Sequence, residues 1–345
     1  MSFDVFIERP KGDSATQVRL LVSDSSPLLG YLQIVHGRWN KNKKMLERGA
    51  FNELIATQLR ILRSLQLATP DVHLASLPIG SWSLRFTFTL AKPWMSKDDD
   101  PFYVNESVNP VRKDKVFKVP VMSAASWKGL LRWTAMRVRL ALKKDRLERE
   151  DFARERFRQA MLFGDEKGEE PGQAKHFAAY LDGLNQDAAL PYRKLVKEYF
   201  GLSAESKEMP HHSGRLTFYP TFFDLIDVEV INPHSRKTKA GTNPIYLECV
   251  PAGSKGTFSL LYAPCDLIGK PENEVNTQAK EDLRLVAEGV SAVMLTYGFS
   301  AKRTSGFGTA QDQIENAGVR TRANVRGWPL TRLSRVSGEV NNVHF

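Results

Sequence analysis

Two short stretches carry residue types able to do chemistry on a polyanion. The first contains Pro120, Ser123, Ser126, Lys128, Gly129 and Arg132. Small and hydroxyl residues that open a helix leave backbone N–H groups and the positive end of the helix dipole pointing outward. Ser123 and Ser126 can cap or donate, and Lys128 and Arg132 add charge one turn apart. That arrangement suits a phosphate of a polynucleotide. The same residues also make an ordinary capped helix whose cations face water. The second stretch is Lys302, Arg303, Thr304, Ser305, Gly306, Phe307 and Gly308. Glycines let a backbone approach a phosphate closely, and two cations precede them. Phe307 either stacks on a base or plugs the core. No Gly-Lys-Ser/Thr ends the run, so it is not a Walker loop.

Acids and histidines offer a different chemistry. Asp98, Asp99 and Asp100 stand together in a polar stretch and are candidate catalytic acids, or simply three acids on a solvated loop. His36, His211, His212 and His234 are candidates for metal-free general acid–base work on RNA. Their spacing forces no two of them together, and no compact ligand cluster predicts a metal. Tyr219, Phe222 and Phe223 read as core, with a base-stacking platform as the alternative.

The elements that must position these residues can be read from periodicity. Trp82, Leu84, Phe86, Phe88 and Leu90 alternate with Ser83, Arg85, Thr87 and Thr89, which predicts a half-buried strand. Lys92 to Lys118 is a long polar excursion. A helix follows from about Ser123, with Trp127, Leu130, Leu131, Thr134, Ala135, Val138 and Leu142 on one stripe. It is expected to continue to about Phe157, with Gly164 as the stop after Leu162-Phe163. Residues 165–212 fit no strand and read as an insertion with weak helical periodicity over 177–199. Strands are expected at 214–219, 227–231, 245–250 and 257–262, with a turn at 251–256. A second helix spans 281–297 with Gly298 behind it, and a short strand follows Gly306 and Gly308. Upstream, strands are expected at 16–22 and 28–35 and a helix at about 51–67. Strand, helix, strands, helix, strand is the βαββαβ order of a ferredoxin-like α+β unit, an antiparallel sheet with both helices on one face. The division is an N-terminal extension, 1–80, and a domain, 81–345, with the excursion 92–118 and the insertion 165–212.

Composition narrows the partners. The chain has 345 residues and a net charge of +10, which excludes nothing by itself. The charge is uneven: residues 81–150 hold 15 Lys and Arg against 8 Asp and Glu, while 151–213 hold 9 against 11. The basic band therefore coincides with the first candidate stretch. No apolar run approaches the roughly 20 residues of a membrane span, and the start lacks a signal-peptide core. Cys249 and Cys265 alone make neither a disulfide framework nor a thiolate zinc site, so a reducing cytoplasmic setting is expected.

Together the two stretches resemble the RAMP superfamily of CRISPR-associated proteins. The carriers are the Pro-x-x-Ser-x-x-Ser-x-Lys-Gly-x-x-Arg helix start and the late Lys-Arg-x-x-Gly-Phe-Gly loop. Leu162-Phe163-Gly164 matches a Leu-Phe-Gly found after the first helix, and Gly214-Arg215-Leu216 a Gly-x-Leu that opens the next strand. Ile231-Asn232-Pro233-His234, with Pro244 to Leu247 after it, is similar to the sixth subunit of Cmr-type complexes. The resemblance covers about 81–312.

It implies a ferredoxin-like (RRM-like) fold in a backbone subunit of a type III effector complex. Guide RNA, target RNA and other RAMP subunits are the implied partners, with no membrane. The implied RNA-binding residues are Ser123, Ser126, Lys128, Arg132 and 302–308. The excursion would serve as a thumb that interrupts the guide–target duplex. Subunits of this family that cut target RNA use an aspartate near an Asp-x-Pro-x-x-Arg pattern. Here Asn109 stands in the acid's place before Pro110 and Arg112, and Asp100-Pro101 is the second alignment. Binding without cutting is therefore expected, and no cofactor. An endoribonuclease is the alternative, through Asp98–Asp100 with Mg or through a histidine. A protein-interaction module without RNA is a further one.

Overall fold

The computed structural model describes residues 44–69, 71–97, 110–166, 168–169, 174–203, 205–206, 208–232 and 245–345. The expected strands at 16–22 and 28–35, His36, His234, Asp98, Asp99, Asp100 and Asn109 lie outside the described residues. In chain order the elements are α1 (Lys44–Ser64), β1 (Trp82–Leu90), β2 (Val121–Met122), α2 (Ala124–Arg139), α3 (Arg149–Phe163), α4 (His176–Leu184) and α5 (Ala189–Tyr199). They continue with β3 (Leu216–Phe218), β4 (Thr221–Phe222), β5 (Asp227–Ile231), β6 (Ile245–Cys249), β7 (Lys255–Tyr262), α6 (Glu272–Ala292), β8 (Ala310–Thr321), β9 (Trp328–Pro329) and α7 (Val336–Glu339).

The main sheet runs β3-β7-β1-β8-β9, and every neighbouring pair is antiparallel. Without β9 this is the ferredoxin-like order, with β1, α2, β3, β7, α6 and β8 as the βαββαβ unit. The alternation of β1 does what its period requires. Trp82, Leu84, Phe86, Phe88 and Leu90 are all buried, whereas Arg85 is exposed. They meet Phe258, Leu260 and Tyr262 of β7, Trp127 and Leu131 of α2, and Leu283, Val286 and Val290 of α6 in one core. Gly289 lets the two helices close up, since a Cβ there would lie 2.9 Å from Leu131 Cδ1.

Several elements differ from the sequence expectation for identifiable reasons. The first helix stops at Arg139 instead of continuing to Phe157. Its apolar stripe ends there, with Leu142 58% exposed. Four charged residues, Lys143 to Arg146, then have no face to bury, and the chain turns into a separate α3. The second helix begins at Glu272, because Val275 and Ala279 extend its buried face, and it ends in a wide turn over Val293–Tyr297 before Gly298. The strand after Gly306 and Gly308, β8, is 12 residues long, not short. β2, β4 and β9 are each two residues long, too short for any period.

Within 165–212 the described residues form two helices, α4 and α5, which share a second core with α2 and α3. Met136, Leu140, Phe152, Ala160, Leu181, Tyr192 and Val196 form it. Arg156 sits inside, pairing with Glu166 at 2.7 Å and Asp182 at 2.7 Å, its guanidinium 4.0 Å from the Tyr192 ring centroid. A second network, buried at Arg215, Tyr262 and Asp282, joins this region to the sheet. Arg215 pairs with Asp266 at 2.7 Å and Asp282 at 2.8 Å, and the Tyr199 and Tyr262 hydroxyls donate to those two acids.

The Leu-Phe-Gly and Gly-x-Leu stretches pack backbone to backbone. A Cβ on Gly214 would lie 2.4 Å from the Leu162 carbonyl oxygen and 2.5 Å from Gly164 N. Gly164 itself has φ 88°, the left-handed region glycine tolerates. No helix among the described residues is long and apolar enough to cross a membrane.

Candidate nucleic-acid interface

Serine chemistry fixes the start of α2. Ser123 is extended at the N-cap, and its Oγ accepts from Ser126 N at 3.2 Å. Its hydroxyl also meets Ser126 Oγ at 2.9 Å. The Ala124 and Ala125 N–H groups belong to the same first turn, where no helical acceptor exists. Trp127 locks the turn from below, its Nε1 donating to Thr221 Oγ1 at 2.9 Å while its ring packs against Phe88, Phe258 and Phe299.

The glycine loop is tied to the root of the excursion. Trp94 Nε1 donates to the Phe299 carbonyl at 2.8 Å, Ala301 N to Met95 O at 2.9 Å and Gly308 N to Pro93 O at 2.8 Å. Ser300 Oγ donates to Met95 O at 3.0 Å. Gly308 has φ 71°, and a Cβ there would lie 2.6 Å from Ser300 Cβ, so the loop closes on itself only with glycine at that point. The other arm of the excursion returns beside it, with Arg112 N donating to Ser96 O at 2.7 Å. A buried ion pair, Lys113 with Glu248 of β6, pins that arm, and Val111 N donates to the same carboxylate at 3.2 Å.

These three segments enclose a cleft of about 420 Å³. The N-cap contributes Ser123 and Ser126, the loop Ser300 and Arg303, and the excursion root Ser96 and Arg112. Apolar walls come from Trp94, Leu130, Trp133 and Phe299. Arg303 is exposed, and its guanidinium lies 4.9 Å from the Trp133 ring centroid. Trp133 in turn meets Tyr297 edge to face at 5.1 Å. The two separate stretches of the sequence therefore converge on one site.

The site divides the residues expected to touch RNA. Ser123, Ser126 and Arg303 line the cleft. Lys128 and Arg132 take the neighbouring side of α2. Arg132 donates to the carbonyls of Gly164 at 2.9 Å and Asp165 at 3.1 Å and lies over the Phe177 ring, so it anchors the turn after α3. Lys128 is half-buried there; burial and the Arg132 charge lower its pKa, opposed by Asp165. Lys302, Thr304, Ser305 and Gly306 form the outer rim of the loop, with Gly306 at φ 78°. Phe307 packs towards Met95, Leu247 and Cys249 and is half-buried. Burial pushes the Cys249 thiol up to about 12, helped by Asp227 and Glu229, so it is an inert core group.

The remaining candidates lie elsewhere or in the core. His211 Nδ1 meets Asp165 at 2.8 Å on the surface, and His212 Nε2 donates to the Ala160 carbonyl at 3.1 Å. Phe223 is wholly buried, and Phe222 packs partly against the core. Among the described residues no group of three or more His, Cys, Asp or Glu is placed to hold a metal ion. Sequence reasoning missed Arg112, Trp94 and Trp133. Trp133 falls between the apolar and charged stripes of α2, and Arg112 reaches the cleft only because the excursion folds back.

The βαββαβ sheet with its cleft at the start of the first helix defines a ferredoxin-like α+β protein. Residues 103–311, more than half of the chain, match the RAMP superfamily, and the chain belongs to that superfamily. No curated protein matches it. Among solved structures, a chain of the cryo-EM structure of the Type III-B Cmr-beta bound to cognate target RNA is similar, with 13% identity, a TM-score of 0.35 and 88% of each chain covered.

Proposed function

We propose that the chain is a cytoplasmic RNA-binding backbone subunit of a type III CRISPR effector complex, holding guide RNA and the guide–target duplex beside other RAMP subunits. The observation that carries this reading is the convergence of the Ser123 helix start, the Arg303 loop and the Arg112 arm on one cleft. Helix N-termini, serine hydroxyls and guanidiniums are the groups that position a phosphate chain without reading its sequence. Membership of the superfamily agrees with this chemistry. The role is binding, with Lys128 and the rim residues Lys302, Thr304 and Ser305 adding contacts along the strand.

The test is RNA binding and assembly by the double variant Lys128→Glu with Arg303→Glu. The reading predicts loss of salt-dependent RNA binding and of RNA-containing assemblies. Unchanged binding and ribonuclease-insensitive assembly would point to a protein-interaction module. Incubating the loaded protein with labelled target and precursor RNA is expected to give no cleavage product; a specific product would make it an endoribonuclease.

A further inference from the structure

We propose that Glu248 is a positioning residue: from β6 it holds the returning arm of the excursion so that Arg112 faces the cleft. This deepens the RNA-binding reading and rests on it. A buried carboxylate is costly unless it is paired, so each one calls for a reason. Four are buried among the described residues: Glu166, Glu169, Glu248 and Asp282. Three of them hold Arg156, Tyr192 and Arg215, none of which lines the cleft or adjoins a residue that does. Glu248 differs. Its Oε2 accepts from Val111 N at 3.2 Å and from the Lys113 ammonium, the two residues that flank Arg112.

The arm alternates there. Val111 is wholly buried and Lys113 is 5% exposed, whereas Arg112 between them is exposed and lines the cleft. Neighbouring side chains of an extended chain take opposite sides, so holding 111 and 113 inward turns 112 outward. One carboxylate oxygen grips the first by its backbone and the second by its side chain. β6 is a suitable anchor because it touches the other parts of the site as well. Leu247 and Cys249, on either side of Glu248, pack with Met95 of the outgoing arm and Phe307 of the glycine loop. Just beyond β6, Val250 and Trp94 exchange N–H···O bonds of 2.8 Å. Glu248 therefore sets Arg112 against the same frame that carries the glycine loop. A buried ion pair is often replaced by apolar residues without loss of stability. What this pair adds is the facing of the cation between its partners.

The experiment uses the full chain, a fluorescein-labelled single-stranded RNA and a salt series. Lys113→Met with Glu248→Leu removes the clamp without changing the net charge. It is expected to fold and to lower the slope of log K against log salt by about 0.7, the share of one phosphate. Over a fourfold rise in salt it then loses about 2.6-fold less affinity than the wild type. Adding Arg112→Ala is expected to lower the slope no further, because the clamp acts through that residue. Adding Arg303→Ala instead is expected to bring the total fall to about 1.4. Amide hydrogen exchange, read without RNA, is expected to quicken at 111–113 and to stay unchanged in β1 and β7. Glu248→Gln alone is expected to quicken the same amides. A wild-type slope in the apolar pair, a further fall on adding Arg112→Ala, or unchanged exchange at 111–113 would each overturn the proposal. If the wild type binds no RNA, the RNA-binding reading falls and the role at the cleft with it; quickened exchange would then show that the clamp itself holds the arm.

Discussion

Neutralising the two cleft arginines gives a quantitative test of the electrostatics. Arg112 and Arg303 are both exposed and both line the cleft, one on the excursion arm and one on the glycine loop. Each is placed to neutralise one phosphate. Every phosphate neutralised on a single strand contributes about 0.7 to the slope of log K against log salt. Arg112→Ala with Arg303→Ala therefore lowers the slope by about 1.4. Over a fourfold rise in salt, the variant loses about sevenfold less affinity than the wild type. Fluorescence anisotropy at a series of potassium chloride concentrations reads this directly. Arg303→Lys is the control: it keeps the charge and the slope while losing the planar stack on Trp133. Slopes that coincide for the wild type and the double alanine variant would refute the placement of phosphates in the cleft.

Three further predictions concern the frame around the site. Gly214→Ala forces a Cβ to within 2.4 Å of the Leu162 carbonyl oxygen, so a loss of about 1–3 kcal/mol is expected in urea denaturation. Asp282 is completely buried, and burial pushes its pKa up against the pull of Arg215, Tyr262 and Gln278. Asp282→Ala leaves Arg215 facing a buried gap, and about 3–5 kcal/mol is expected to be lost in the same assay. Glu169 is buried beside Glu166, which together push its carboxyl up to about 7 from 4.5, against the Tyr192 hydroxyl and Arg156. The folded state thus holds that proton more tightly than the unfolded chain. The contribution is complete below pH 4.5 and is lost as pH rises through about 7. Glu169→Gln is expected to flatten the melting temperature over that window; an unchanged pH dependence would contradict the assignment.

Local rules and long-range closure account for what the sequence showed and what it hid. The strand at Trp82–Leu90, the cap at Ser123 and the stops at Gly164 and Gly298 follow from alternation, capping and positive φ, all properties of neighbouring residues. The sheet order followed from the order of elements, because few topologies join them without crossing. The cleft needed more. Arg112 and Arg303 come to line one cleft only through bonds such as Trp94 Nε1 to Phe299 O and Gly308 N to Pro93 O, which no spacing encodes. Arg132 shows the opposite case. Its spacing pairs it with Lys128 as a cationic stripe, yet the carbonyls exposed by the Gly164 turn engage its guanidinium. The break after Arg139 was hidden because charge, not a glycine or proline, ends the helix there.

The most direct test of the RNA-binding cleft is ultraviolet crosslinking of the RNA-loaded full chain, followed by mass mapping of the crosslinked peptides. The account predicts crosslinks in 121–133 and 299–308, the two stretches that line the cleft. Crosslinks confined to the helices of 176–199, with none in either stretch, would contradict it.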